Sequence, residues 1–278
     1  YILATPIGNR ADITLRALHV LDLADAVACE DTRHTAALLQ GYGLHKPLIA
    51  AHEHNEREAA QAVIERLREG QRVVYASDAG TPGVSDPGAR LVAEVRAAGL
   101  RCVPLPGASS VTALLSVAGE VQGGGRWRFA GFLPPKGAER ERALQALAAS
   151  PEANVLLEAP HRIEALAQAL ATHLGERQVT VGRELTKQFE EVDTLPAARL
   201  PDWLAAHPQR TRGEFALLVH ATAPVAAGED EVNAGALRVL DALLGELPLK
   251  TAVKLAAQIS GAPRNLLYEA ALARKPQG

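Results

Sequence analysis

Three short segments rich in glycine and small side chains have the composition to hold a polar ligand through their backbones: ATPIGN at 4–9, SDAGTPGVSDPG at 77–88 and PGASS at 106–110. Each follows an apolar run of strand length. Glycine there lets the chain approach a ligand closely while amides and carbonyls face it. The second segment packs three glycines, two prolines and two aspartates into twelve residues; the same composition also suits a tight turn whose Asp and Ser cap the next helix. Ser109 has the same two readings, as a ligand contact at a helix start or as an N-cap. Further along, Glu158, Arg162, Arg183, Glu184 and Lys187 stand just past apolar runs, where substrate contacts and structural ion pairs are both expected. No Walker lysine pattern, G-x-G-x-x-G or H-E-x-x-H is present, and His52-Glu53-His54 is too tightly spaced to put two ligands on one helical face, so no metal is expected.

The elements that must position these loops read as alternating strands and helices. Strands are predicted at 1–4, 26–29, 49–51, 72–77 and 102–105, and helices at 14–21, 34–40, 56–69, 89–98 and 109–117. Strand, loop and helix repeated in this way predict an α/β unit with ligands at the carboxyl ends of parallel strands. A second set of strands at 128–132, 154–158, 178–183, 190–194 and 214–220, with helices at 137–149 and 163–174, predicts a mixed sheet covered by two or three helices. Two breaks, VQGGGR at 121–126 and TAPVAAGEDE at 222–231, divide the chain into an N-terminal α/β domain (1–120), a second α/β domain (127–222) and a small helical appendage (231–278) with helices at 234–244, 250–259 and 263–272.

Composition excludes several classes. With 278 residues, 47% hydrophobic and 22% charged, the chain has enough apolar mass for two cores and is not intrinsically disordered. The net charge of −3 announces no basic face, and the tail from 231 is the only net basic piece, with six basic against four acidic residues. Cys29 and Cys102 are the only cysteines, too few for a disulfide framework, and both read as structural thiols. With no apolar run long enough to span a bilayer, a soluble cytoplasmic protein is expected.

Eight motifs in order, ATPIGN, CEDTR at 29–33, HEHNE at 52–56, SDAGTPGVSDPG, PLPGASS, GFLPPKG at 131–137, EAPHR at 158–162 and GRELTK at 182–187, resemble the ribosomal RNA small-subunit methyltransferase I family of the tetrapyrrole methylase superfamily. The QGGGR stretch before Trp127 is more glycine-rich than is usual there. The resemblance implies a two-domain tetrapyrrole-methylase-like (class III) fold with a small C-terminal helical appendage, binding S-adenosylmethionine in the cleft between the domains. It further implies methyl transfer to the ribose 2'-hydroxyl of a cytidine in the decoding region of 16S rRNA, in the assembled or nearly assembled small ribosomal subunit, by a homodimer. Matched residue by residue, the cofactor is expected at Pro6, at Asp78, Ala79, Gly80, Val84 and Ser85, at Ala108 and Ser109, and at Glu158, Ala159, Pro160 and Leu185. Transfer to a ribose hydroxyl needs a group to orient the oxygen and take its proton, and cations near the RNA backbone. Lys187, Asp31, Glu30, Arg33, Glu184 and His54 are the candidates, with Lys187 foremost because it follows a strand and turn; Lys250 and Lys254 in the tail are expected to meet phosphates. A small-molecule acceptor on the same fold, and an RNA-binding module using the tail, are the rival readings.

Overall fold

Short, uninterrupted apolar runs build the first sheet. In the computed structural model, which describes residues 1–52, 55–85, 88–222 and 234–273, strands β1 (Ile2–Leu3), β2 (Ala26–Cys29), β3 (Leu48–Ala50), β4 (Val73–Ala76) and β5 (Pro104–Leu105) pair in parallel in the order β3-β2-β4-β1-β5. Every residue of β2 and β4 is buried. Helices cover both faces, so neither strand has a solvent side that would demand alternation. Helices α1 (Leu15–Leu23) and α2 (Thr32–Gly41) bury Ala17, Leu21 and Leu39 against Val27 and Val74. On the opposite face α3 (Glu56–Arg68) and α4 (Ala89–Ala97) bury Val63, Ile64, Leu91 and Val95 against Ala28, Val73 and Tyr75.

The second sheet contains β6 (Trp127–Gly131), β7 (Ala153–Glu158), β8 (Gln178–Arg183), β9 (Glu191–Pro196) and β10 (Phe215–Val219), in the order β6-β7-β10-β8-β9. It is mixed: β6 and β7 are parallel, and the other pairs antiparallel. Leucines of α6 (Gly137–Ala149), α7 (Ile163–Leu174) and α8 (Leu200–Ala205) pack on one face. The other face receives α5 (Ser110–Val117), whose Val111 and Leu114 pack with Val155, Ala216 and Leu218. Thus α5 follows the last strand of the first sheet but completes the core of the second, and residues 1–221 form one compact unit.

Residues 222–278 form a second unit. In it α9 (Ala234–Leu244), α10 (Leu249–Ser260) and α11 (Arg264–Ala273) bury Leu240, Val253, Ala256 and Leu267 in a core of their own. Gly261 ends α10 at φ 71°, a left-handed turn that favours glycine, and Pro263 follows.

The structure moves several expected boundaries. The helix expected at 14–21 starts one residue later, because Thr14 is its cap and accepts from the Ala17 amide at 3.1 Å. The strand expected at 190–194 is β9, displaced to Glu191–Pro196 by its pairing with β8. Helix α8 was not expected at all: it is one and a half turns long, with a proline at its start, too short for a periodic signal. Cys29 is buried, and burial pushes its thiol up from the ordinary range; Cys102 is half-buried.

One carboxylate ties the glycine-rich connection to the end of the second sheet. Glu120 Oε1 accepts from the amides of Gln122 at 2.6 Å and Gly123 at 2.8 Å, while Oε2 accepts from the Ala221 amide at 2.9 Å and lies 2.9 Å from His220 Nδ1. Burial alone would raise the pKa of this carboxyl, but the amides of Gly123, Ala221 and Gln122 together with His220 outweigh it and hold it below the ordinary range. A folded-state value below the unfolded one means a contribution that is present above the usual carboxylate range and lost as pH falls through the folded value. Glu120→Ala, which strands these donors, should lower unfolding free energy by about 1–3 kcal/mol in urea titrations at neutral pH, with Glu120→Gln losing less. The difference between wild type and Glu120→Ala should shrink on acidification below about pH 4; a pH-independent difference would show that the charge contributes nothing.

Candidate functional site

Sheet order brings the glycine-bearing loops together. Because β4, β1 and β5 are neighbours, the segments that follow them emerge side by side at the carboxyl edge. Thr5 and Gly80 exchange backbone hydrogen bonds of 2.9 and 3.1 Å, and Thr81 Oγ1 donates to the Ala108 carbonyl at 3.0 Å. Gly80 has φ 84°, so its glycine serves this turn. In the second sheet β10 runs antiparallel to both β7 and β8, with Phe215 opposite Glu158 and Arg183. The EAPHR and GRELTK segments therefore leave the sheet at the edge where Glu214 enters it.

These two edges enclose a cavity of about 360 Å³. Ile7, Ala79, Val84 and Ser85 contribute from the first sheet's loops; Leu157, Glu158, Ala159, Pro160, Leu185 and Phe215 contribute from the second sheet. Size and lining suit a small organic molecule with an apolar body and a few polar groups. The Glu158 side chain is fully buried, and its carboxylate is 3.0 Å from Arg162 Nε through Oε1, which also accepts from the Ala159 amide at 3.0 Å. Its Oε2 is buried without a hydrogen-bond partner among the described residues. A buried acceptor left unpaired is costly, which points to a ligand donor at this wall. Backbone strain gathers here too: among the described residues the non-glycine positions with positive φ are Ser85 (63°), Glu184 (51°) and Thr186 (68°), all lining the cavity or flanking residues that do.

Lys187 belongs to the second sheet's edge and reaches the first through its stem. Its Nζ donates to Glu184 Oε1 at 2.8 Å and to Glu214 Oε2 at 2.7 Å, and Glu184 Oε1 also accepts from the Glu214 amide at 2.9 Å. Its stem crosses Gly8, where a Cβ would stand 2.3 Å from Lys187 Cγ, and next to it Thr186 Oγ1 accepts from the Asn9 amide at 3.2 Å. Partial burial opposes the charge of Lys187, but the bonds to Glu184 and Glu214 outweigh it and raise its pKa. Burial likewise works against ionised Glu184, yet Lys187 and the Glu214 amide hold its carboxyl below the ordinary range. A lysine held protonated in this way is no general base at neutral pH. Two of its three N–H donors are used, leaving one for a ligand.

A second cavity, of about 440 Å³, adjoins the first and shares Ile7, Ala79, Lys187 and Glu214 with it. Pro6 and Asp78, expected to touch a cofactor, line this second cavity, as do Gly8, Arg10 and His34. Asp78 Oδ1 accepts from the Asp31 amide at 3.2 Å. Asp31 caps α2, accepting from the Arg33 amide at 2.8 Å and the His34 amide at 3.3 Å; these bonds hold its carboxyl below the ordinary range, and it lines neither cavity. The Arg33 side chain is 94% exposed, and Glu30 is half-buried and engaged. Gly80, Ala108 and Ser109 line neither cavity; the neighbouring Ser110 lines the first. His54 and Glu53 lie outside the described residues. Sequence reasoning missed Glu214 and Arg10, whereas Ser110 belongs to the PGASS loop it had singled out. Only the placement of β10 between β7 and β8 reveals Glu214, and strand order is not readable from the chain.

A family model described as Tetrapyrrole (Corrin/Porphyrin) Methylases matches residues 1–201, and one described as RsmI C-terminal HTH domain matches residues 230–275. The chain is 49% identical over 276 residues to the ribosomal RNA small subunit methyltransferase I of Pseudomonas aeruginosa, covering 99% of this chain and 97% of that protein. It is 44% identical over 273 residues to the protein of the same name from Escherichia coli O157:H7, covering 98% and 94%. Among solved structures it is similar to a cobalt precorrin-4 methyltransferase (TM-score 0.59, 18% identity, 78% of this chain and 93% of that one) and to a uroporphyrin-III-C-methyltransferase from Thermus thermophilus (TM-score 0.53, 21% identity, 77% and 91%). At these identities the structural likeness concerns the fold alone.

The contact of Gly8 with the Lys187 stem yields a direct test. Gly8→Ala should displace Lys187 from Glu184 and Glu214 and lower stability by about 1–3 kcal/mol, the usual cost of overpacking. A crystal structure of the variant with the three-residue cluster intact would refute the constraint.

Proposed function

The chain belongs to the ribosomal RNA small subunit methyltransferase I family and has the tetrapyrrole methylase fold, and from that premise we propose that it transfers a methyl group from S-adenosylmethionine to the ribose 2'-hydroxyl of a cytidine in the decoding region of 16S rRNA. The observation that carries this reading is the cavity between the two sheet edges with the unpaired Glu158 Oε2 in its wall. The lining fits the cofactor: Ala79, Val84, Leu185 and Pro160 offer apolar surface, Ser85 and Ser110 offer hydroxyls, and Glu158 offers an acceptor for an amine or hydroxyl. When bound, S-adenosylmethionine supplies a methyl group already activated by its sulfonium. The protein's own residues then have to orient the acceptor oxygen and manage its proton. Lys187, protonated and bordering both cavities, places its remaining N–H beside that oxygen, while Glu184 fixes the ammonium. Glu214 borders both cavities and is 74% exposed, so it is the carboxylate through which the proton leaves to water.

In this reading the two sheets with their helices act as domains 1–120 and 127–222, and the appendage 231–278 holds RNA. Lys250 and Lys254 lie one turn apart on α10, both exposed and without an ion-pair partner among the described residues. The substrate is the assembled or nearly assembled small subunit. A homodimer is supported by exposed apolar side chains on the edge strand β6, where Trp127 and Phe129 are 43% and 37% exposed. Closed two-fold association is the common way to cover such surface.

Labelled S-adenosylmethionine supplied to isolated small subunits should yield a cytidine methylated on its ribose in 16S rRNA; methylation of a base, or of nothing, overturns the assignment. Lys187→Ala should slow single-turnover transfer about tenfold or more, as expected for loss of a positioned charge at the reacting oxygen; unchanged chemistry would remove Lys187 from the mechanism. Sedimentation at micromolar concentration should give twice the 29.3 kDa chain mass, and a monomer alone would refute the dimer.

A further inference from the structure

We propose that the second cavity seats the acceptor nucleotide of a single-stranded RNA segment and that Arg10 holds its phosphate. This deepens the functional reading above and rests on it.

The cavity holds about 440 Å³, enough for a nucleoside, and opens onto the first through Ile7, Ala79, Lys187 and Glu214. A nucleotide here therefore has its sugar next to the reacting end of the first cavity. His34, Ala37 and Leu38 recur at helical spacing on α2 and form one wall, an aromatic and apolar surface suited to a base.

Charge then selects the phosphate anchor. Lys187 is already compensated by two carboxylates, so it and its partners carry a net negative charge and repel a phosphodiester. Arg33 stands beside Asp31 and lines neither cavity. Arg10 lines the second cavity, is exposed, and its guanidinium has no hydrogen-bond or ion-pair partner among the described residues. It is nonetheless placed: the Tyr42 hydroxyl donates to the Arg10 carbonyl at 2.7 Å, and the guanidinium lies over Gly41, where a Cβ would stand 2.6 Å from Nη1. A planar, permanently charged fork left unpaired at the wall of a nucleoside-sized cavity is a phosphate contact.

The test uses the full chain saturated with S-adenosylhomocysteine and a short fluorescent cytidine-containing RNA, with anisotropy read across a salt series. Arg10→Ala should weaken RNA binding severalfold and make the slope of log K against log salt shallower by about 0.7, the value for one lost phosphate contact on a single strand. Arg10→Lys should restore part of the affinity. Gly41→Ala keeps the charge but pushes the guanidinium aside, and should weaken binding to an intermediate degree. Calorimetry should show S-adenosylmethionine affinity unchanged in all three. RNA affinity and salt slope equal to wild type in both Arg10→Ala and Gly41→Ala would overturn the proposal, as would loss of cofactor binding in step with RNA binding. The two readings fail separately: a wild-type protein that binds RNA through Arg10 but methylates no small subunit refutes the function and leaves the site standing, whereas normal methylation with Arg10-independent binding refutes the site alone.

Discussion

The stem of Lys187, whose ammonium is held by Glu184 and Glu214 on the second sheet's side, packs on Gly8 of the first and joins the two halves of residues 1–221 at the site, with a glycine at position 8 as its steric condition. Each sheet has a hydrophobic core of its own, and a further cluster packs Ile7 and Val84 of the first half against Leu185, Ala216 and Leu218 of the second. Directional contacts add to this. One set lies at the strand ends, where Lys187 crosses Gly8 and Thr186 receives the Asn9 amide. The other lies in the connection, where Glu120 gathers the amides of Gln122, Gly123 and Ala221. Between them α5 fills the space against the second sheet.

Departures from local rules concentrate at the same place. Ser85, Glu184 and Thr186 adopt left-handed backbone angles without being glycine, and Glu158 buries an oxygen with no donor among the described residues. Each costs free energy, and each is held by well-formed structure around it: Glu184 by Lys187, Glu158 by Arg162 and the Ala159 amide. Strain and unpaired acceptors that persist in this way are what a preorganised binding site requires, because a ligand that supplies the missing donor recovers the cost on binding.

Much of this was legible in the sequence, for identifiable reasons. A sheet covered on both faces needs strands that are apolar at every position, so Ala26–Cys29 and Val73–Ala76 stand out from their polar surroundings. Loops that must turn tightly and approach a ligand need glycine, and those loops proved adjacent. What depends on strand order was hidden. Nothing local says that β10 inserts between β7 and β8, so Glu214 went unnoticed although it completes the lysine cluster. Nor does α5 advertise that its apolar face serves the second sheet. Asp31 shows the opposite difficulty: it reads from the sequence as a candidate reactive group, and the geometry makes it the cap of α2. Arg10 was passed over because an exposed arginine in a short 3-10 turn carries no pattern; its meaning comes from α2 lying across from it.

On the proposed assignment of cofactor to the first cavity and RNA to the second, the charge distribution follows from a division of labour between them. A cationic co-substrate in the first cavity is favoured by carboxylates nearby, and Glu158, Glu184 and Glu214 supply them. The same carboxylates oppose a polyanionic acceptor, so the cations that hold RNA must stand away from the reacting atoms. Arg10 lines the second cavity and has no carboxylate partner among the described residues, and Lys250 and Lys254 lie on the separate helical unit. An overall charge of −3 is therefore compatible with RNA binding, since attraction is needed at a few positioned cations and not over the whole surface. In the proposed reading, the cost of placing acid beside the acceptor is a weaker hold on RNA, and the gain would be a site that stabilises the positive sulfonium and lets the acceptor hydroxyl give up its proton next to a carboxylate open to water.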